Sequence, residues 1–299
     1  MCLSTMLQSC VATHRSCHTK IKVSKTLTVT DTVIGKGAFG KVMFGWASSK
    51  PIAVKVINDR QSYKMESAAL RTILSHGGHV GICGLADVPR FPFIATDYVS
   101  GYTMMQLYNK SEALHLERIV PWFVQLFDTL AWLHHRHIKH GDVKLDNVMI
   151  DVFERVKLID FGLTRVLDSE ESRTKKYAVQ GTAVYMAPEE WSHELCDVPL
   201  AGDVFAAGVC LFGLLTGRFP FETTRNDCVV FERFSQKVAA ENDSDIIALE
   251  IFSMYGRPQP DVLANSHRLC SLLGSLLHPS WKLRVCALVA LVRLSSFFE

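Results

Sequence analysis

No hydrophobic run in the sequence is long enough to cross a bilayer. The longest, residues 204–215, falls short of the roughly 20 apolar residues that a spanning helix needs, and reads as a buried core helix. A continuous apolar stretch near the N-terminus is also missing, so no signal peptide is expected. Charge of one sign is not in excess: the net charge of +2 gives no electrostatic footing for nucleic acid or a membrane surface, and neither is expected as a partner. The nine cysteines are odd in number and scattered, which suits reduced thiols in the cytoplasm or nucleus better than a disulfide framework. There is no internal repeat and no low-complexity segment. What remains is a globular mixture of 299 residues, 48% hydrophobic and 21% charged, with length for one large domain or two lobes.

Within that mixture one stretch is dense in chemistry. His140-Gly141-Asp142-Val143-Lys144-Leu145-Asp146-Asn147 sets a carboxylate, a lysine and an amide within six residues, and Asp160-Phe161-Gly162 adds a second carboxylate after an apolar, strand-like run. The set comprises one group to take a proton, one cation for a developing negative charge, and two oxygen ligands for a hard metal ion. Phosphoryl transfer from a magnesium nucleotide needs that set, because it is catalysed mainly by positioning and charge neutralisation.

Upstream, residues 1–25 are polar. Cys10, His14, Cys17 and His18 lie close together at a spacing that fits no standard zinc finger, so a mobile tail is the expectation and a zinc site the alternative. Residues 27–57 follow a β pattern broken by glycines. Gly35-Lys36-Gly37-Ala38-Phe39-Gly40 lies inside it and is followed by another strand-like run rather than a helix. That context favours a hairpin lid over phosphates to a dinucleotide-binding turn, with a plain glycine-rich hairpin as the alternative. In the next strand Ala53, Lys55 and Ile57 share one face and Ile52, Val54 and Val56 the other. A lysine centred in an apolar strand needs a partner unless it reaches water at a sheet edge. Residues 61–75 read as a helix with Glu66, Leu70 and Ile73 on one face, which makes Glu66 the candidate partner; a solvated glutamate is the alternative.

Residues 91–99 read as a strand that ends at a hinge, Tyr98-Val99-Ser100-Gly101, and residues 116–136 as a helix with an apolar core stripe. Beyond the central stretch, residues 168–177 read as a polar loop. Gly181-Thr182-Ala183-Val184-Tyr185-Met186-Ala187-Pro188-Glu189 follows, and Asp203 then opens the apolar helix, where capping and the helix dipole alone would favour a carboxylate. Residues 281–294 read as a closing core helix.

The glycine loop, strand lysine, catalytic loop, Asp-Phe-Gly and Ala-Pro-Glu, in that order, resemble the eukaryotic-type protein kinase family over residues 27–294. The Asp142-x-Lys144-x-x-Asn147 pattern with Gly181-Thr182 and Ala187-Pro188-Glu189 is similar to its serine/threonine branch. The resemblance implies an α+β, bilobal protein kinase fold at residues 26–295. Its β-rich N-lobe with one main helix would span residues 26–99, and its mostly α-helical C-lobe residues 100–295, with Mg-ATP (ATP and Mg2+) between them. It also implies protein substrates with Ser/Thr acceptors. By position, Gly35, Gly37 and Gly40 would lie over the phosphates, Lys55 would bind the α- and β-phosphates, and Glu66 would hold Lys55. Asp142 would be the base, Lys144 would neutralise the γ-phosphate, and Asn147 and Asp160 would hold magnesium. Ile34, Val42, Ala53 and Met149 would enclose the adenine, with Thr96 as gatekeeper and backbone bonds from Asp97 and Val99. Thr182 would contact Asp142 and Lys144, Glu189 would pair with Arg284, and Asp203 would brace the catalytic loop. A catalytically inactive kinase-fold scaffold and a small-molecule phosphotransferase are the alternatives. The first typically lacks a base, metal aspartate or strand lysine, all present here, and the Ala-Pro-Glu segment speaks against the second.

One position departs from the family pattern. The arginine that usually precedes the catalytic aspartate, and that receives an activation-loop phosphate, is Gly141. Activity is therefore expected to depend little on phosphorylation of Ser169, Ser172 or Thr174, although Lys175 or Lys176 is available as a substitute phosphate partner. Replacing each hydroxyl residue in turn by alanine should leave phosphotransfer near the wild-type rate in a steady-state assay; a loss at any one of them would contradict the expectation.

Overall fold

A computed structural model of the chain describes residues 20–22, 26–37, 40–86, 93–110, 114–169, 172, 179–191, 199–225, 227–241 and 267–297. The expectations for Cys10, His14, Cys17 and His18, and for Thr174, Lys175 and Lys176, concern residues outside this set. Two compact units divide the chain between Ser100 and Gly101, inside the segment expected to be a hinge.

The N-terminal unit is a six-stranded antiparallel sheet in the order β1-β2-β3-β4-β6-β5. Its strands are β1 (Lys20–Lys22), β2 (Leu27–Gly37), β3 (Gly40–Ala47), β4 (Lys50–Ile57), β5 (Leu85–Ala86) and β6 (Phe93–Asp97). Strand period decides the core: Ile52, Val54 and Val56 of β4 pack with Leu27, Val29, Met43, Phe93 and Ala95, while Ala53 and Lys55 occupy the half-buried face. The strand expected at residues 91–99 is shorter, since β6 ends at Asp97 and its described part begins at Phe93. Helix α1 (Arg60–Ser75) follows β4. The Asp59 carboxylate accepts a hydrogen bond from the Ser62 amide at 2.6 Å and so satisfies one of the donors that every helix start leaves open. Its buried stripe is Glu66, Ala69, Leu70 and Ile73, a helical spacing with one charged member.

The C-terminal unit starts with β7 (Gly101–Thr103) and α2 (Met104–Asn109), followed by the 20-residue α3 (Leu116–His135). Ile119, Phe123, Leu126, Leu130 and Leu133 are buried along one side of α3, as the stripe requires. Short strands then carry the chemistry-bearing residues: β8 (Ile138–Lys139), a 3-10 turn (Leu145–Asn147), β9 (Val148–Asp151), β10 (Val156–Leu158) and β11 (Arg165–Val166). They form a three-stranded sheet, β10-β9-β7, and a two-stranded one, β11-β8. A second 3-10 turn (Pro188–Trp191) precedes α4 (Pro199–Thr216), α5 (Val229–Glu241), α6 (His267–Leu276) and α7 (Ala287–Ser295). Helix α4 is apolar nearly all round because it is enclosed, with Val204, Phe205, Ala207, Val209, Leu211 and Phe212 all buried.

Two expectations need correction here. Asp203 does not open its helix; α4 begins four residues earlier at Pro199, so the aspartate lies inside the helix and caps nothing. The closing helix does not span residues 281–294 either: it starts at Ala287, and the preceding stretch is turn. The turn exists to deliver Arg284. Its fully buried guanidinium donates to both Glu189 carboxylate oxygens (3.0 Å at Oε2), to the His278 carbonyl at 2.9 and 3.1 Å, and to the Ala201 carbonyl at 2.9 Å. A helix through residue 284 would carry that fork away from its partners.

Because removing one member strands the other charge without solvent, Arg284→Met should lower the unfolding free energy by about 3–5 kcal/mol. Arg284→Lys should recover little, since an ammonium cannot reproduce the planar fork. Denaturant unfolding followed by circular dichroism checks both; a lysine variant as stable as wild type would contradict the geometric reading.

Candidate active site

In the N-terminal unit, β4 and α1 bring Lys55 and Glu66 together. The ammonium donates to both carboxylate oxygens, at 2.9 and 3.1 Å, with the side chains 14% and 4% exposed. The strand lysine is thus held by the one carboxylate on the buried face of α1, and the snorkelling and solvated alternatives are excluded. Gly35 stands opposite Val42 and Gly37 opposite Gly40 across the β2–β3 hairpin, so the glycine-rich stretch lies in a hairpin between strands and not at a helix start. Val42 and Ala53 are half-buried, while Ile34 is 40% exposed. Ala53 faces Thr96, and Ile52 faces Asp97, in the β4–β6 ladder. The Asp97 side chain is occupied by Lys50 at 2.6 Å, and Val99 follows the strand in irregular chain.

In the C-terminal unit the stretch from His140 to Gly162 closes on itself. Asp142 Oδ2 accepts from Lys144 Nζ at 2.6 Å and from Asn147 Nδ2 at 3.0 Å, and Asn147 Nδ2 also donates to the Asp142 carbonyl at 2.8 Å. Asp142 Oδ1 takes no hydrogen bond among the described residues. Lys144 further donates to the Thr182 hydroxyl at 3.1 Å, so Thr182 is connected to Asp142 through the lysine. Met149 lies half-buried on β9, one residue beyond Val148. Asp160 adopts φ 62°, uncommon for a residue with a side chain, and its carboxylate accepts from the Gly162 amide at 3.2 Å.

Asp203 holds this loop in shape. Its carboxylate, 1% exposed, accepts from the His140 amide at 2.8 Å, the Gly141 amide at 2.9 Å and His134 Nε2 at 3.0 Å. Burial opposes its ionisation, but the His134 hydrogen bond and the positive charge around it hold the carboxyl below its ordinary range. His140 is the neutral counterpart. Burial pushes its imidazole below the usual value against the pull of Asp203, Asp142 and Asp160; Nε2 donates to the Ile159 carbonyl at 3.1 Å while Nδ1 accepts from the Asp142 amide at 3.3 Å. Gly141 adopts φ 82°, and a Cβ there would stand 2.5 Å from the Leu163 carbonyl oxygen.

The donor set suits a hard cation. Both Asn147 N–H groups are turned to Asp142, which leaves Asn147 Oδ1 as an acceptor, and Asp160 supplies a carboxylate. Among the described residues no group of three or more His, Cys, Asp or Glu side chains is arranged to hold a metal by itself. Magnesium, which keeps waters and shares phosphate oxygens, needs only an oxygen or two from protein, and so fits where a fully caged ion would not.

Sequence reasoning missed one pairing. Lys139 is 5% exposed and its ammonium donates to Glu190 Oε1. The sequence carried little signal for it, since residues 134–139 are His-His-Arg-His-Ile-Lys and the partner lies 51 residues away.

The family model described as the protein kinase domain matches residues 28–293. A probable serine/threonine-protein kinase of Dictyostelium discoideum is 31% identical over 228 residues, 73% of this chain and 14% of that protein. CBL-interacting protein kinase 25 of Oryza sativa subsp. japonica is 31% identical over 203 residues, covering 63% and 39%, and probable serine/threonine-protein kinase PknB of Lactococcus lactis 26% over 217 residues, covering 69% and 34%. The chain therefore spans less than half the length of each of these relatives. A β-rich first unit followed by a helix-rich second one is the architecture of the kinase fold, and the matched span takes in nearly all of both. This chain belongs to the protein kinase family.

Proposed function

We propose that the chain is a serine/threonine protein kinase, transferring the γ-phosphate of Mg-ATP to Ser/Thr hydroxyls of protein substrates. The observation that carries this reading is the state of the Asp142 carboxylate: Oδ2 is held by Lys144 and Asn147, and Oδ1 is left free to accept the proton of an incoming hydroxyl.

The remaining roles follow from chemistry and place. Lys55, kept extended by Glu66, binds the α- and β-phosphates; Gly35, Gly37 and Gly40 offer bare backbone to the phosphates. Ile34, Val42, Ala53 and Met149 provide apolar surface for the adenine, and the Asp97 and Val99 backbones its polar edge. Asn147 Oδ1 and the Asp160 carboxylate bind magnesium, which when present neutralises charge on the β- and γ-phosphates. Lys144 stands between Asp142 and Thr182, where its cation meets negative charge developing on the transferred phosphoryl group. The Lys144–Thr182 bond sets the acceptor side and supports Ser/Thr as the substrate class. Among the described residues Cys210, Cys228 and Cys286 are free thiols, which supports a reducing compartment, cytoplasm or nucleus.

Transfer of labelled γ-phosphate to a generic protein substrate, with phosphoamino-acid analysis, tests the reading. Wild type should yield phosphoserine or phosphothreonine, and Asp142→Asn should lower the rate by about 100-fold or more while ATP binding persists. Transfer to small molecules alone, or ATP binding without transfer, would overturn it. Lys55→Met should raise the KM for ATP and depress kcat, and Glu66→Gln should do the same more mildly. Steady-state kinetics at varied ATP checks this, and the double variant should be no worse than Lys55→Met, because the two residues act as one unit.

A further inference from the structure

Lys139 is covalently next to His140, and its surroundings are unusual for a lysine. The ammonium is buried and donates to Glu190 Oε1, while Glu190 Oε2 accepts from the Ala187 amide at 2.9 Å. Helix α4 passes this pair with no side chain: a Cβ on Gly202 would stand 2.6 Å from Glu190 Oε1 and 3.2 Å from Lys139 Nζ. Three separate elements, β8, the 188–191 turn and α4, thus converge on one ion pair. The Lys139 backbone meanwhile pairs with Arg165 in the β8–β11 ladder, and the Leu167 amide donates to the His137 carbonyl at 2.9 Å.

We infer that Lys139 is a positioning residue that fastens both ends of residues 160–191 beside Asp142, its backbone holding the beginning and its side chain the end, without any phosphate on the chain. The inference rests on the kinase reading above. From Glu190 a continuous line of bonds leads to the reacting carboxylate. Glu190 fixes Ala187; Met186 donates to the Ala183 carbonyl at 3.3 Å and Tyr185 to the Thr182 carbonyl at 2.9 Å; the Thr182 hydroxyl accepts from Lys144, which donates to Asp142. Loosening the pair therefore displaces the acceptor side of the site. A phosphate would have no side chain to meet at Gly141, so unmodified groups do the fastening. The Lys139 charge has a second use, since it helps keep the neighbouring Asp203 ionised where that carboxylate grips the His140 and Gly141 amides.

The test uses the full chain after phosphatase treatment, with steady-state kinetics against a Ser/Thr peptide and against ATP, each varied separately. Lys139→Met and Glu190→Gln should each lower kcat/KM for the peptide by about tenfold or more while the KM for ATP stays within about twofold. The double variant should be no worse than the poorer single one, and Lys139→Arg should restore most of the peptide efficiency. Gly202→Ala, which crowds the pair without removing a charge, should shift peptide kinetics in the same direction; with the isosteric Glu190→Gln it carries the test if Lys139→Met does not fold. Unchanged peptide kinetics with only a lowered Tm, strictly additive losses, an equal change in the KM for ATP, or inactivation of wild type by phosphatase would each overturn the inference. A wild-type chain that binds ATP and phosphorylates no peptide even before phosphatase treatment would instead refute the kinase reading, and this inference with it.

Discussion

The C-terminal unit depends on one buried carboxylate. Asp203 takes two consecutive backbone amides and an imidazole on its two oxygens, and so fixes the chain direction at His140 and Gly141 immediately before the reacting aspartate. A carboxylate without solvent is tolerable only when hydrogen bonds replace the water it has lost. Here they come from the loop that must be held still, so satisfying the charge and ordering the loop are the same act. The left-handed backbone at Gly141 and at Asp160 is sustained by this grip from one side and by the β8–β11 pairing from the other.

Local chemistry was legible in the sequence, and distant chemistry was not. The Lys55–Glu66 pair, the hairpin that holds Gly35 and Gly40, and the Asp142–Asn147 loop could be read because each lies within a short interval whose period or spacing fixes which groups face each other. The start of the helix that carries Asp203 was placed too late because the apolar run alone does not reveal a helix that begins four residues earlier in mixed sequence at Pro199. The stretch from Trp281 onward looked helical for a similar reason: its apolar content mimics a core helix, whereas the demand that overrides it, bringing Arg284 to Glu189, comes from 95 residues away. Lys139 shows the limit most clearly, since its mostly polar neighbours in sequence give no hint of burial, and Glu190 and the gap at Gly202 can only be seen in three dimensions.

Two ion pairs flank the Pro188–Trp191 turn, and they differ in kind. Glu189 meets an arginine whose fork is saturated by carbonyls, a rigid knot with no unused donors. Glu190 meets a lysine, a point charge on a flexible stem, with an alpha-carbon in place of a side chain pressed against it. Adjacent residues thus secure the same turn to the helical core on one side and to the catalytic loop on the other.

Arg284 also has a temporal meaning. Chains are made from the N-terminus, and units fold as they emerge. The residue that anchors Glu189 stands 95 positions after it. During synthesis the acceptor side of the site has its aspartates, its lysine and its turn long before it has its anchor. The nascent unit therefore holds Glu189 uncompensated, and its closure is deferred until Arg284 has been made.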